Sequence, residues 1–297
     1  MAYQSIDPQA LKTAELHTLL LGAIAPRPIA FASTIDKSGK VNLSPFSFFN
    51  VFGSNPPILI FSPARRGRDN TTKHSYENVK EVAEVVINIA NYPMVEQMSL
   101  ASTEYDKGVN EFVKAGFTEI SSEKVKPPRV AEAPVAFECK VQQIIETGQQ
   151  GGAGNLIICE VVQVHINEAI LDPNGKIDPV KLDPIGRLGG NWYSRSKQAL
   201  FEVEKPLSKL CIGVDALPDA IKNSSVLTGN DLGKLANVEQ LPALDDDFSV
   251  QQYLSVTEVN YVAGDVLAEH NAHELAHQLL EQNKISEAWQ VLLLAAN

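Results

Sequence analysis

Two stretches carry residue types and spacings that could do chemistry. The first is residues 41–63, VNLSPFSFFNVFGSNPPILIFSP, which mixes Ser, Pro and Asn with Phe and has no cleanly apolar face. Small hydroxyl and amide side chains on a strand let a flat ligand approach the backbone, so strand N–H and C=O groups can pair with a heteroaromatic edge while Phe rings supply apolar surface. Ser33 and Thr34, at the end of the preceding apolar run, offer further hydroxyls. The loop that follows, ARRGRDNTTKH, sets Arg65, Arg66, Arg68 and Lys73 against Asp69. Ser75 then stands at an expected helix start, where free N–H groups and the helix dipole favour an anion. An aromatic, hydrogen-bonding platform beside an anion-seeking loop meets the needs of a mononucleotide such as FMN. The competing reading is packing: Phe in a strand is usually core, Pro45 can mark an edge or bulge, and charged loops are usually solvated.

The second stretch is HELAH, residues 273–277, which matches HExxH. On a helix that spacing puts two His on one face for zinc, with a Glu as general base. Only Glu281 and Glu287 follow as further ligands, and Glu281 would extend a linear row rather than complete a tetrahedron. The alternative is a surface helix whose other stripe, Ala272, Leu275, Ala276 and Leu279, packs inward at i, i+3, i+4 and i+7.

The whole chain limits the classes of partner. Its 297 residues carry a net charge of -11, with 44% hydrophobic and 21% charged residues, the composition of a folded globular protein. The acidic balance disfavours nucleic acid and anionic membranes. Cys139, Cys159 and Cys211 are far apart, form no CxxC pair, and two lie in apolar strand-like runs, so buried free thiols are expected. The N-terminus lacks a leader-like apolar region, and no run approaches the roughly 18 apolar residues of a membrane span. A reducing, cytoplasmic setting is expected.

The elements that must position these residues differ along the chain. IAFASTI (29–35), VNLSPFSFFNVF (41–52) and ILIFSP (58–63) read as a three-stranded antiparallel meander. SYENVKEVAE predicts a helix with Ser75 as N-cap, VVINIAN a strand, and YPMVEQMSLAS a helix. PVAFECKVQQIIET and NLIICEVVQVHIN predict a long hairpin about GQQGGAG. About six strands with hairpin connections suggest a closed antiparallel barrel, which removes exposed edges. After residues 204–207 the pattern turns helical, with segments predicted at 216–225, 230–241, 265–283 and 285–296. The expected organisation is a mainly β domain over 1–204 and a C-terminal helical extension over 205–297.

The run RPIAFAST…GKVNLSPFSFFNVFGSNPPILIFSP, with KHSYENV, VNEFVKAGFTEI, VKPPRVAEAPVAFECKV and PIGRLGGNWYSR, resembles the flavin reductase-like family with the FMN-binding split barrel, which includes flavoredoxins. The resemblance covers about residues 10–200. It implies a six-stranded antiparallel split β-barrel with flanking helices, a homodimer, and FMN at or near the dimer interface. Carried over residue by residue, it places Ser33 and Thr34 near the flavin. Ser44, Pro45, Phe46, Ser47 and Asn50 would line the isoalloxazine, Phe61 and Ser62 would approach from the next strand, and Lys73, Ser75 and Asn78 would serve the phosphate. Arg187, Gly189, Gly190 and Tyr193 form a second tier. His74 stands where the family often has Asp, and the basic loop has its own length, so Arg65 or Arg66 could take the phosphate instead.

The activity implied is that of an NAD(P)H-dependent flavin reductase, with NADH or NADPH giving a hydride to flavin N5. Reduced flavin would then serve an acceptor or a partner monooxygenase. In such proteins the cofactor carries the redox chemistry and the protein orients it. No acid–base triad is evident and no residue is assigned as catalytic. A non-catalytic flavin carrier or sensor of the same fold is the alternative, and a zinc peptidase built on HELAH the remote one. Related split barrels also bind pyridoxal phosphate or haem, but His17, His74 and His165 are isolated and make no haem site.

Overall fold

In a computed structural model of the chain, residues 1–207, 209–245, 247–254 and 269–296 are described. The chain divides into two compact units, Met1–Phe201 and Glu202–Asn297. Among the described residues no helix is long and apolar enough to cross a membrane.

In the first unit, β1 (Ala30–Ile35) pairs antiparallel with β2 (Val41–Phe46). Asp36 fixes the turn between them, its Oδ1 accepting from the Ser38 and Lys40 N–H groups and from Ser38 Oγ. The single strand expected over 41–52 is two strands. It breaks at Ser47 and Phe48, and β3 (Phe49–Ser54) pairs instead with β4 (Pro57–Phe61). The meander is therefore not formed. With β5 (Glu84–Ile89) and the twelve-residue strands β8 (Val135–Glu146) and β9 (Asn155–Ile166), the sheet has seven strands in the order β2-β1-β5-β8-β9-β4-β3, all neighbours antiparallel.

That order forces the sheet to roll. β2 and β3 are its two edges, yet only Ser47 and Phe48 separate them. Three successive Cα steps of at most about 3.6 Å span no more than about 11 Å. The edges must therefore approach each other along a seam that no ladder closes. Seven strands and an open seam replace the six-stranded closed ladder expected from strand counting. Pro45 sits on the edge strand β2, where a missing N–H removes no ladder bond.

The centre of the rolled sheet is covered on both faces. Along β1, Ala30 and Ala32 join one buried cluster with Phe46, Phe61, Val85, Ile87 and Ile157, while Phe31 joins another with Leu43, Met98, Phe112 and Phe117. This period-two alternation explains why all six residues of β1 are buried. The flanking helices are α1 (Thr13–Ala23), α2 (His74–Glu81), α3 (Val95–Leu100), α4 (Glu111–Ala115) and the one-turn α5 (Pro179–Leu182). Two short ribbons complete the unit: β6 (Glu119–Ile120) with β7 (Arg129–Val130), and β10 (Ile185–Arg187) with β11 (Tyr193–Arg195). Helix α2 starts with Lys73, not Ser75, at its N-cap. Ser75 lies inside the helix because its hydroxyl is used elsewhere.

Cys139 and Cys159 are fully buried, and burial pushes the Cys139 thiol up to about 12 and Cys159 well above its ordinary value. Cys211, half-buried, sits 3.0 Å from Asn237 Oδ1. Only Cys211 is expected to react with iodoacetamide in the native protein at mild alkaline pH. Mass spectrometry showing native modification of Cys139 or Cys159 would contradict that burial.

The second unit contains α6 (Asp219–Lys222), α7 (Gly229–Ala236), α8 (Gln251–Leu254), α9 (Glu269–Glu281) and α10 (Ile285–Ala296). The start of the helix predicted over 265–283 lies outside the described residues. Leu235, Leu275, Leu279, Leu280, Trp289 and Leu292 build its core, and Trp289 Nε1 donates to the Leu235 carbonyl at 3.2 Å. Asn283 takes a left-handed conformation (φ 59°) between α9 and α10, where Lys284 N–H returns to the Leu279 carbonyl.

Candidate functional site

A cleft of about 240 Å³ opens at the seam. Ser44, Pro45, Phe46, Ser47 and Phe48 form its floor where β2 gives way to β3. His17 and Leu21 of α1 also line it, with Ser62, Ala64, Lys73 and Ser102. The cleft follows from the topology, because the seam is where backbone has no strand partner across it.

Buried polar contacts hold the floor from behind. Glu111, buried at the start of α4, accepts from the Leu43 N–H at 2.9 Å. Ser75 Oγ donates to Asn42 Oδ1 at 3.0 Å, and Asn42 Nδ2 reaches Ser44 Oγ at 3.4 Å. Asn78 Nδ2 donates to Thr34 Oγ1 at 3.1 Å. Ser75 is 0% exposed and Asn78 3%, so both side chains brace β1 and β2 from within. Ser33 and Thr34 are likewise interior, and Ser33 Oγ has no hydrogen-bond partner among the described residues. On the other side, Asn155 donates its N–H to Ser62 Oγ at 3.0 Å and its Nδ2 to the Pro63 carbonyl at 2.9 Å. Phe61 is core, tilted against Phe46 with ring centroids 5.5 Å apart. Asn50 is exposed on β3, and its Oδ1 accepts from the adjacent Val51 N–H.

Arg27 organises the cleft, although the motif reading did not single it out. It is 6% exposed and has no acidic partner within ion-pair distance among the described residues. Its Nη1 donates to the Leu21 and Ile24 carbonyls at the end of α1, at 2.8 and 2.7 Å. Its Nη2 donates to the Leu188 carbonyl at 3.2 Å, and Nε reaches Ser47 Oγ at 3.4 Å. The negative end of the α1 dipole stands in for a counter-ion. Burial, and then Arg187, lower its pKa, but a guanidinium stays charged.

The basic loop is built, not loose. Arg65 donates to Asn70 Oδ1 and to its carbonyl at 2.7 and 2.6 Å, and Asn70 adopts φ 57°. Arg66, Arg68 and Lys73 converge on one carboxylate, Glu104. Oε1 takes Arg66 Nε at 2.9 Å and Lys73 Nζ at 3.2 Å, and Oε2 takes Arg68 Nη2 at 2.9 Å. Hydrogen bonds from Arg66, then Lys73 and Arg68, hold Glu104 at about 2. His74 is pulled below its ordinary value by burial and then by Arg66, so it is neutral near pH 7.

The second tier lies around a different cleft of about 360 Å³. Arg187 stacks on Tyr193 (4.6 Å) and Arg195 on Tyr92 (3.7 Å), with Arg195 also paired to Asp183. Gly190 turns between β10 and β11 with φ 57°, a conformation that favours glycine. Gly189 lies in the same turn, its would-be Cβ 3.6 Å from Gly22 Cα. Arg27 and Arg187 exchange backbone hydrogen bonds at 2.9 and 2.8 Å, so the strand under this cleft is tied to the residue that holds Ser47.

In the second unit the HExxH histidines face partners of their own. His273 Nδ1 lies 2.8 Å from Ser224 Oγ, and His277 Nδ1 lies 2.9 Å from Asp231 Oδ2. Among the described residues no three His, Cys, Asp or Glu groups converge on a metal position. The other stripe of the helix, Ala272, Leu275, Ala276 and Leu279, packs into the core of the unit. Asp231 also closes the capping box of α7 with Thr228. Burial pushes this carboxyl up, but hydrogen bonds from Thr228 and His277 outweigh that and hold it below its ordinary value. The stability it gives is therefore full above about pH 4 and lost as pH falls through the lowered value. Asp231→Ala is expected to cost about 2 kcal/mol at neutral pH and to flatten the acid limb of the melting profile. An unchanged acid limb would refute this assignment.

The flavin reductase-like domain matches residues 21–181, more than half of the chain. An Aquifex aeolicus protein of uncharacterised function is 40% identical over 61% of this chain and 90% of its own length. Among solved structures, nitrilotriacetate monooxygenase component B from Bacillus cereus superposes with a TM-score of 0.63 at 31% identity, over 69% of this chain and 99% of that one. The Pseudomonas fluorescens 2-nitrobenzoate 2-nitroreductase gives 0.62 at 26% identity, over 71% and 100%. These matches take in nearly the whole of the relatives and leave roughly a third of this chain outside. Rolled sheet, seam cleft and sequence match agree, and the chain belongs to the flavin reductase-like family.

Proposed function

We propose that this protein binds FMN in the seam cleft and acts as an NAD(P)H-dependent flavin reductase, in a homodimer. The observation that carries the reading is the composition of the cleft: serine hydroxyls and free edge backbone on the floor, Phe46 and Phe48 for apolar contact, and Lys73 at one end beside the cation cluster. Those residues fit the group. Ser44, Ser47 and Ser62 offer hydrogen bonds to a heteroaromatic edge, and Lys73 with Arg66 offers charge to a phosphate. When bound, the flavin supplies the redox chemistry. The protein's part is to orient it, to keep Arg27 positive behind Ser47, and to exclude water from one face.

The homodimer reading rests on uncovered surface beside the cleft. No residue of α1 or β3 is buried, although both are rich in apolar side chains. A second copy lying there would complete the cleft. The likeness to a monooxygenase component supports an oxygenase as one acceptor of reduced flavin. The three free cysteines favour a reducing, cytoplasmic setting.

The test is an absorption spectrum of tag-free protein after addition of FMN and removal of the excess, followed by NADH or NADPH without oxygen. A retained band bleached by one nicotinamide is expected and names the donor. A retained band that neither bleaches would make the protein a flavin carrier or one reduced by another protein. No retained flavin and no steady-state flavin reduction would overturn the proposal. Lys73→Ala is expected to weaken FMN roughly tenfold and riboflavin hardly at all. Equal losses for both ligands would remove Lys73 from the phosphate end.

A further inference from the structure

We propose that Glu104 is a specificity-determining residue: an internal counter-anion that occupies the Arg66–Arg68–Lys73 cluster and lowers its affinity for phosphate monoesters. The inference takes its ligand from the flavin reading above. Its own support is the geometry of the cluster.

Glu104 uses both carboxylate oxygens on these cations, at 2.9, 3.2 and 2.9 Å. Lys73 lines the seam cleft, and so does Ser102, two residues before Glu104. The carboxylate therefore sits next to the cleft's own cation, Lys73, on the same atoms a phosphate would seek. A phosphate monoester carries nearly two negative charges and three acceptor oxygens suited to Arg forks. It must either displace Glu104 or bind beside a like charge.

Arg66 and Arg68 have holders besides Glu104: Arg68 reaches Asp69 Oδ2 at 3.1 Å, whereas the Lys73 ammonium makes its ion pair with Glu104. Arg66 also donates to Thr71 Oγ1 at 2.9 Å and to the Thr72 carbonyl. Its backbone N–H donates to the Thr71 carbonyl at 2.8 Å, and Asn70 N–H returns to the Arg66 carbonyl at 2.9 Å. Asp69 accepts from the Thr71 N–H and hydroxyl at 3.0 and 2.6 Å. Around Glu104, Thr103 N–H donates to the Leu100 carbonyl and Tyr105 N–H to the Thr103 carbonyl. Removing the charge of Glu104 thus leaves the Arg66 and Arg68 forks in place, frees Lys73, and takes one anion out of the cluster. Arg66 is the least exposed of the three, its side chain 14% exposed, so the site is only partly screened by solvent.

The experiment compares wild type with Glu104→Gln, titrating FMN and riboflavin by flavin fluorescence at low and high salt, and ribose 5-phosphate by NMR. Glu104→Gln is expected to tighten FMN roughly tenfold at low salt and to leave riboflavin within about twofold. The gain should shrink at high salt. An unchanged or weaker FMN affinity, or an equal gain for riboflavin, would overturn the inference. If neither protein binds a flavin, the flavin reading fails separately, and ribose 5-phosphate decides. Tighter binding to Glu104→Gln upholds the counter-anion; no difference overturns it.

Discussion

Arg27→Met is expected to destabilise the first unit by about 3 kcal/mol, because three part-buried hydrogen bonds to carbonyls are lost and each is made by a charged donor worth about 1–3 kcal/mol. The same change is expected to weaken flavin binding by roughly tenfold or more. Met fills much of the volume, so the loss isolates the hydrogen bonds and the charge. The Leu21 and Ile24 carbonyls close α1, the Leu188 carbonyl leads into the β10–β11 turn, and Ser47 is the first residue after β2. One side chain thus joins three segments that line or support the cleft. Arg27→Lys keeps the charge but has no planar fork to reach all these oxygens, so it should fall between wild type and Met. Urea unfolding and FMN titration of the three proteins would check this. If Met melts with wild type and binds FMN equally, Arg27 is an ordinary interior residue and the cleft is held by its sheet alone.

Arg27 also shows what could and could not be read beforehand. It stands alone in LGAIAPRPIAFAS, an otherwise uncharged run. An isolated Arg in such a run must find buried acceptors, and that signal was available. Glu104 gave no comparable signal, since its partners lie more than thirty residues away in the basic loop. Strands β8 and β9 were legible because their alternation is long and local, and α10 because its spacing is regular. The break at Ser47 was not legible. It is imposed by where β3 must go, to pair with β4 at the far edge of a rolled sheet, and no local preference states that. Helix α1 has no inward apolar stripe to mark it in the sequence; none of its residues is buried. The hydroxyl of Ser75 and the amide of Asn78 suit an anion and suit interior strand bracing alike; here they bond Asn42 and Thr34, and residue type alone does not separate the two uses.

Phe52→Glu is expected to convert the proposed dimer to monomer, raising its dissociation constant roughly 100-fold, the scale of losing a central apolar anchor. Phe52 is 64% exposed and Val51 63%, on β3, an edge strand with no partner on its outer side. A long apolar edge left open invites uncontrolled pairing, so a protein that keeps one needs it covered. Leu19, Leu20 and Ile24 on or beside α1, and Phe48 at the seam, add exposed apolar surface in the same unit. Because Phe48 and α1 also line the seam cleft, dimer loss and flavin loss should go together. Phe52 is outside all three buried clusters of the unit, so Glu there should leave its circular dichroism spectrum unchanged. Sedimentation velocity with and without FMN reads both effects in one sample series. A monomeric wild type would sink the dimer outright. A Phe52→Glu dimer that binds FMN normally would move the interface elsewhere and leave β3 without its cover. A folded monomer that still binds FMN tightly would show that one copy supplies the whole site, and the seam cleft alone would then have to account for its affinity.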